Sequence, residues 1–220
     1  MPQKKSKPAL AAIFAHPDDE SFGPSGTLAK FTRTHDVYVL CATKGESGMG
    51  PSSKLAKIRV RELRQSAKII GIKRVYFLGF RDGKLSNSIY HKLAAKIEQR
   101  LKQIEPQILL TTEARGVSGH IDHITVSMVT SFVFNKLPSA KTIMYYCIDE
   151  KVAAKMANYF IYFPPGYKRS QVDKIVDISK YWAIKKKAMF AHKSQAKDAQ
   201  TVLNRIKNLP KEEYFLIREK

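Results

Sequence analysis

Ala9-Leu10-Ala11-Ala12-Ile13-Phe14-Ala15-His16-Pro17-Asp18-Asp19-Glu20 is the stretch on which the fold turns. Seven apolar residues end abruptly in an imidazole, a proline and three carboxylates. A short run this apolar suits a strand buried on both faces of a parallel sheet. In open α/β sheets ligands collect beyond the carboxyl ends of such strands, so the polar turn stands where a site is expected. Lys4, Lys5 and Lys7 ahead of the run imitate a secretory leader. The apolar part is too short for one and Pro8 interrupts its start. A first core strand behind a flexible basic tail, residues 1–7, explains the segment better.

Working outward, comparable runs at 37–42, 74–78, 107–111 and 142–148 alternate with helical patterns. The clearest helix covers about 54–70, where Leu55, Ile58, Leu63, Ala67 and Ile70 recur near helical spacing and Gly71 supplies a stop. Others are expected over 88–103 and from Ile121 to about Phe134, the latter with Ile124, Met128 and Val129 as its apolar stripe. This alternation predicts an α/β fold, a three-layer sandwich with a mostly parallel Rossmann-like sheet, in one domain spanning 1–220. Residues 150–171 break the pattern with Tyr159, Phe160, Tyr162, Phe163 and Pro164-Pro165-Gly166, and read as a lid or variable connection. After them, 172–178 alternates as a half-exposed strand and Tyr181–His192 returns to helix.

A chain of 220 residues with 44% hydrophobic content is globular, and no window approaches the ~18 uninterrupted apolar residues of a membrane helix. Cys41 and Cys147, the only cysteines, lie in apolar runs and read as small buried side chains, which fits a reducing, cytoplasmic setting. The net charge of +20 favours anionic partners: an anionic substrate, a membrane surface or nucleic acid. Nucleic acid is disfavoured, because no recognised motif or aromatic-interleaved basic strand is present. The cluster from Phe160 to Phe163, beside Lys168-Arg169, offers a membrane contact, but covering a pocket or core is the better reading. A homo-oligomer is compatible with all of this.

A second polar turn, Gly119-His120-Ile121-Asp122-His123, follows another apolar run. A catalytic zinc takes three protein ligands and keeps an open position, and His16, Asp19 and His123 could provide such a set. Pro17 stiffens the first turn. Asp18 is then free as a general base, and His120 could hold an oxyanion or protonate a leaving amine, with Asp122 to orient it. A helix starting near Ile121 would keep His123 neutral for ligation. The same donors also suit ferrous iron. Polar turns at Thr43–Gly48, Arg81–Gly83, Glu113–Arg115 and Asp149-Glu150 occupy equivalent places and suggest a common rim.

Ala-His-Pro-Asp-Asp-Glu at 15–20 and His-x-Asp-His at 120–123 resemble the two defining motifs of the LmbE/PIG-L family of zinc-dependent N-deacetylases, without a substitution. Thr43-x-Gly45-Glu46-x-Gly48, Arg59 to Leu63, Leu78-Gly79 with Asp82-Gly83, and Lys187 through His192-x-Ser194-Gln195 look like its other markers. The resemblance implies that His16, Asp19 and His123 hold Zn2+, that Asp18 is the base, and that His120 paired with Asp122 is the electrostatic catalyst. It further implies that Glu46, Arg59 and Asp82 contact a sugar, whereas His192 and Gln195 serve packing or capping. The implied reaction is hydrolysis of the acetamide of a small N-acetylglucosamine conjugate by a zinc-activated water. An amidase acting on another conjugate is the alternative within the same chemistry, and a basic nucleic-acid-binding protein the alternative outside it. His35-Asp36 stands before the second strand where the family more often has glycine.

Overall fold

A computed structural model of the chain describes residues 7–48, 52–156, 158 and 162–220. Its first half runs β1 (Ala9–Phe14), α1 (Asp19–Phe22), α2 (Ser25–Phe31), β2 (Asp36–Cys41), α3 (Ser52–Ile70), β3 (Arg74–Phe77), α4 (Tyr90–Ile104) and β4 (Ile108–Thr112). The second half runs α5 (Gly116–Gly119), α6 (Ile121–Lys136), β5 (Thr142–Cys147), α7 (Glu150–Met156), β6 (Lys174–Asp177), α8 (Trp182–Ala191), α9 (Ala196–Ile206) and β7 (Glu212–Glu219). The seven strands form one sheet in the order β3-β2-β1-β4-β5-β7-β6. β1 to β5 are mutually parallel, and β7 pairs antiparallel with both β5 and β6. The α/β sandwich with a largely parallel sheet is therefore present.

β1 shows why it lies at the centre. Leu10, Ala12 and Phe14 point into one apolar cluster with Val37, Val39, Leu28, Ile70 and Ala188. Ala11, Ile13 and Ala15 point into the other, with Leu93, Ile97 and Leu101 of α4 and Val126, Val129 and Val133 of α6. This period of two, apolar on both sides, is what a strand covered by helices on both faces requires. The chain builds β2 and β3 to one side of β1, then β4 and β5 to the other, so the strand order reverses between β1 and β4. The crevice of an open sheet opens at such a reversal.

Two predicted stripes need correction. Ile58 is 37% exposed and Met128 48% exposed. On α3 the buried face is Leu55, Arg59, Glu62, Leu63, Ser66, Ala67 and Ile70, with polar residues recruited to bonds described below. α6 carries apolar residues on every side, so its pattern had no sharp phase; of the expected stripe Val129 faces the core, joined by Val126 and Val133. The sequence reading also passed over α9 and β7, the latter because two acids open it and it enters the sheet between strands that precede it in the chain. Within 150–171, α7 is followed by a bridge between Asp149 and Tyr167. Tyr159 and Phe160 of the expected aromatic cluster lie outside the described residues, as does most of the basic tail, residues 1–6. No described helix is long and apolar enough to cross a membrane.

Candidate metal centre

Two loops reach the crevice, and each is delivered by strained backbone. After β1, Asp18 adopts φ 117 and ψ −25, a left-handed conformation that costs a non-glycine residue about 1–3 kcal/mol. Arg59 of α3 compensates: its Nη2 donates to Pro17 O at 2.7 Å and to Asp18 Oδ2 at 2.9 Å, and its Nη1 to Gly45 O at 3.1 Å. The Asp18 amide donates to Glu20 Oε2 at 3.0 Å, while Glu20 Oε1 accepts from Ser66 Oγ and bonds His192 Nε2 at 2.8 Å. After β4, Val117 has φ 63 and ψ −55, unusual for a β-branched residue. The buried Glu113 carboxylate holds that turn by accepting the amides of Arg115 and Val117 and the Tyr167 hydroxyl. Gly116 permits it, since a Cβ there would meet His123 Cβ at 2.9 Å.

The side chains so delivered meet. His16 Nδ1 lies 3.1 Å from His123 Nε2, which lies 3.2 Å from Asp19 Oδ1. One donor atom from each of the three falls within 4.8 Å of the others. Their outer atoms are fixed: His123 Nδ1 donates to Gly116 O at 3.1 Å, and His16 Nε2 faces Asp82 Oδ1 at 2.9 Å and Asp122 Oδ2 at 3.1 Å. Asp19 Oδ2 accepts the amides of Ala15 and His16 at 3.0 and 2.9 Å. With outer N–H groups committed outward, the inner atoms are lone pairs aimed at one point, and such an arrangement needs a cation. A proton on His16 is one: burial opposes it, but hydrogen bonds to Asp122 and Asp82 outweigh burial and push the pKa up to about 10. A divalent ion displacing that proton is the other. The outer bonds are those that orient ligating imidazoles and carboxylates in metal sites. Asp19 is suited to ligation too, since burial is overcome by the facing His123 and His16 and its carboxyl is held well below the usual range.

A second group of three, His16, His120 and Asp122, also falls within 4.8 Å. Its lone pairs are largely spoken for. The Asp122 carboxylate accepts the amides of Gly83 at 2.8 Å and Leu85 at 3.1 Å besides facing His16, and His120 Nδ1 caps α6 by accepting the Asp122 amide at 3.1 Å. The donor chemistry therefore fits His16, Asp19 and His123 better.

Burial pushes the Asp18 carboxyl up to about 6 against the pull of Arg59. His120 is pushed below its ordinary value by burial and by the neighbouring His123 and His16. Asp82 is held down to about 2, its hydrogen bond to His16 outweighing burial. His16, Asp18, Asp19, Arg59, Asp82, His120 and His123 all line one cavity of about 580 Å3, shared with Ser47, Gly83 and Asp149 from the expected rim. Asp122 sits behind it at 2% exposure. Glu46 is not among the lining residues, and its carboxylate accepts the amides of Asp82 and Lys44 at 3.1 and 3.2 Å. Sequence reasoning missed Glu20, Ser66 and Glu113 as supports, and gave His192 no tie to Glu20. The available signal was the run of polar residues Arg59, Glu62 and Ser66 at helical spacing on the buried side of α3.

Comparison with known proteins agrees with this geometry. The family model for PIG-L, GlcNAc-PI de-N-acetylase, matches residues 11–133, more than half of the chain and the part that carries both motifs. The chain is 26% identical over 209 residues to a probable N-acetyl-alpha-D-glucosaminyl L-malate deacetylase 2 of Bacillus anthracis, covering 91% of this chain and 87% of that protein. Among solved structures it resembles the N,N'-diacetylchitobiose deacetylase of Pyrococcus horikoshii, with a TM-score of 0.73 at 21% identity over 99% of this chain and 86% of that one. It also resembles GalB, the 4-carboxy-2-hydroxymuconate hydratase of Pseudomonas putida KT2440, with a TM-score of 0.71 at 15% identity over 97% of both chains. The last two likenesses speak to the fold alone, since one architecture carries a deacetylase and a hydratase. The matched motifs, meeting at one set of inward lone pairs, identify the chain as a member of the PIG-L family.

Proposed function

We propose that the protein is a metal-dependent N-deacetylase that hydrolyses the acetamide of an N-acetylglucosamine-containing substrate. The observation that supports this most is the convergence of three inward lone pairs from His16, Asp19 and His123 with Asp18 alongside. A divalent ion held there, Zn2+ or Fe2+, supplies the Lewis acid that activates water and polarises the acetamide carbonyl. Asp18 takes the proton from the attacking water and returns it to the departing nitrogen. A carboxyl pushed up to about 6 by burial suits both halves of that task. His120 accepts at Nδ1 from the Asp122 amide, which leaves Nε2 as its donor toward the acetyl oxygen as negative charge develops. Asp122 serves His120 through its amide and His16 through its carboxylate. Arg59 and Asp82, both lining the cavity, are the residues we assign to the sugar, and Glu46 would act through the loop that it braces.

Acetate release from a panel of N-acetylglucosamine conjugates, with and without added Zn2+ or Fe2+, tests the reading. Metal-dependent release from at least one conjugate is expected. No release from any of them by metal-loaded protein would overturn it, and preference for an amide without a sugar would move the same chemistry to another conjugate.

A further inference from the structure

α3 turns two unlike sides to its surroundings. The inner side is the buried row from Leu55 to Ile70, and the opposite side carries Lys54, Lys57, Arg61, Arg64 and Lys68. These five are exposed and recur every three or four residues, so they stand one above another in a single stripe along the helix. At 1.5 Å per residue the stripe is about 21 Å long. Its charge has one sign only: from Ser52 to Phe77 the sole acid is Glu62, which is buried and accepts from the amide and hydroxyl of Ser194. A solvated helix face ordinarily mixes signs, and like charges at these spacings oppose the helix that carries them. Elsewhere the fold supplies a partner, as Glu98 does for Lys102 and Asp36 for Lys73. Among the described residues the five cations of the stripe have no ion pair or hydrogen bond through their side chains. None of them lines the metal cavity.

We propose that this stripe docks on the sugar-phosphate backbone of a nucleic-acid duplex, a binding function separate from the hydrolytic site. The net charge of +20 draws the whole molecule toward polyanions, and the stripe is a line of that charge which nothing in the fold compensates. A duplex presents a phosphate charge about every 1.7 Å along its axis, so each cation of the stripe finds one within reach. Contacts of this kind read no sequence and need no recognition motif, so the want of such a motif in the chain does not bear on them. Other polyanions fit the stripe less well. Single strands are gripped by stacking their bases on aromatic rings, and α3 contains none. A protein partner needs apolar anchors at the centre of its interface, and a membrane surface needs apolar groups to take in. Among the described residues Ile58 is the only large apolar side chain exposed on α3.

The test titrates short labelled DNA and RNA duplexes of mixed sequence with the full chain over a range of salt concentrations, and reads association by fluorescence anisotropy. On DNA, log K is expected to fall against log salt with a slope of about −4 to −5, near 0.9 for each cation of the stripe. The triple variant Lys57→Gln/Arg61→Gln/Arg64→Gln is expected to flatten that slope by about 3, with metal content and acetate release unchanged. A control that loses the same charge at exposed positions elsewhere, Lys141→Gln/Lys174→Gln/Lys207→Gln, is expected to keep the slope. Equal losses in the two triple variants would overturn the stripe and leave only a diffuse attraction by net charge. Failure to bind either duplex would overturn it as well, and so would capture by phosphatidylserine vesicles without any duplex bound. Tighter binding to one of the two duplexes, lost in the stripe variant alone, upholds the docking and names the source of the phosphates.

Discussion

At the metal end of the cavity the side chains that shape it are tied: Arg59 to Asp18, Pro17 and Gly45, Asp122 to Gly83, Leu85 and His16, Glu20 to His192, Ser66 and the Asp18 amide. At the α9 end Val202 and Ile206 are half-buried aliphatic groups, set beside the Lys185–Glu213 and Arg169–Glu212 pairs. The difference separates a region whose atoms are held by directional bonds from one that mainly covers area. Directional bonds hold atoms within tenths of an ångström, as amide hydrolysis demands, whereas an apolar wall accepts many shapes and discriminates by area.

The comparison is broken most severely at the metal end. His123→Ala is expected to lose the ion and reduce deacetylation to background, read by metal analysis beside acetate release. Asp18→Ala and His120→Ala are expected to keep the ion and lose about 10²–10⁴ in kcat. The opposite pattern of metal retention would exchange the roles. The Lys185–Glu213 pair in the cavity wall is buried at 4% and 2% exposure, with Glu213 also accepting the amides of Gly26 and Thr27. Lys185→Met should destabilise by roughly 3–5 kcal/mol in urea unfolding, because it leaves a buried carboxylate without its cation.

A smaller effect separates support from chemistry. His192 is wholly buried, and although burial opposes it, Glu20 raises its pKa above 6.5. The stability from this bond is complete below the unfolded value of about 6.5 and is lost as pH rises through the higher folded value. His192→Gln should therefore flatten the alkaline fall of the urea midpoint, and unchanged pH profiles in the two proteins would sink the assignment. The smallest effect belongs to the surface: Ile58→Lys, on the open side of α3, should change stability by no more than about 0.5 kcal/mol.

What could be read from the sequence was local. β1 and the turn after it are contiguous, and the alternation of short apolar runs with helical periods carries the sheet through β5. The two histidine turns are each compact, so His16, Asp19 and His123 could be named as candidate donors, and the structure brings them together. What could not be read depends on partners distant in the chain. Asp82 after β3 and Asp122 in the first turn of α6 flank the same nitrogen of His16, and no spacing reports that. β7 carries Glu212 and Glu213 into a sheet because Arg169 and Lys185 await them, so its opening looked unlike a strand. Ile58 fits the helical period as an apolar residue, yet the inner face of α3 includes Arg59, Glu62 and Ser66 in its place.

The left-handed backbone at Asp18 and Val117 has a consequence for how this protein would evolve in the laboratory. Glycine at Val117 would relax a conformation costing about 1–3 kcal/mol, which makes that position an early catch in any selection for heat resistance. The same relaxation would loosen the turn that presents the Gly116 carbonyl to His123, so hardier variants from such a selection should emerge as slower catalysts.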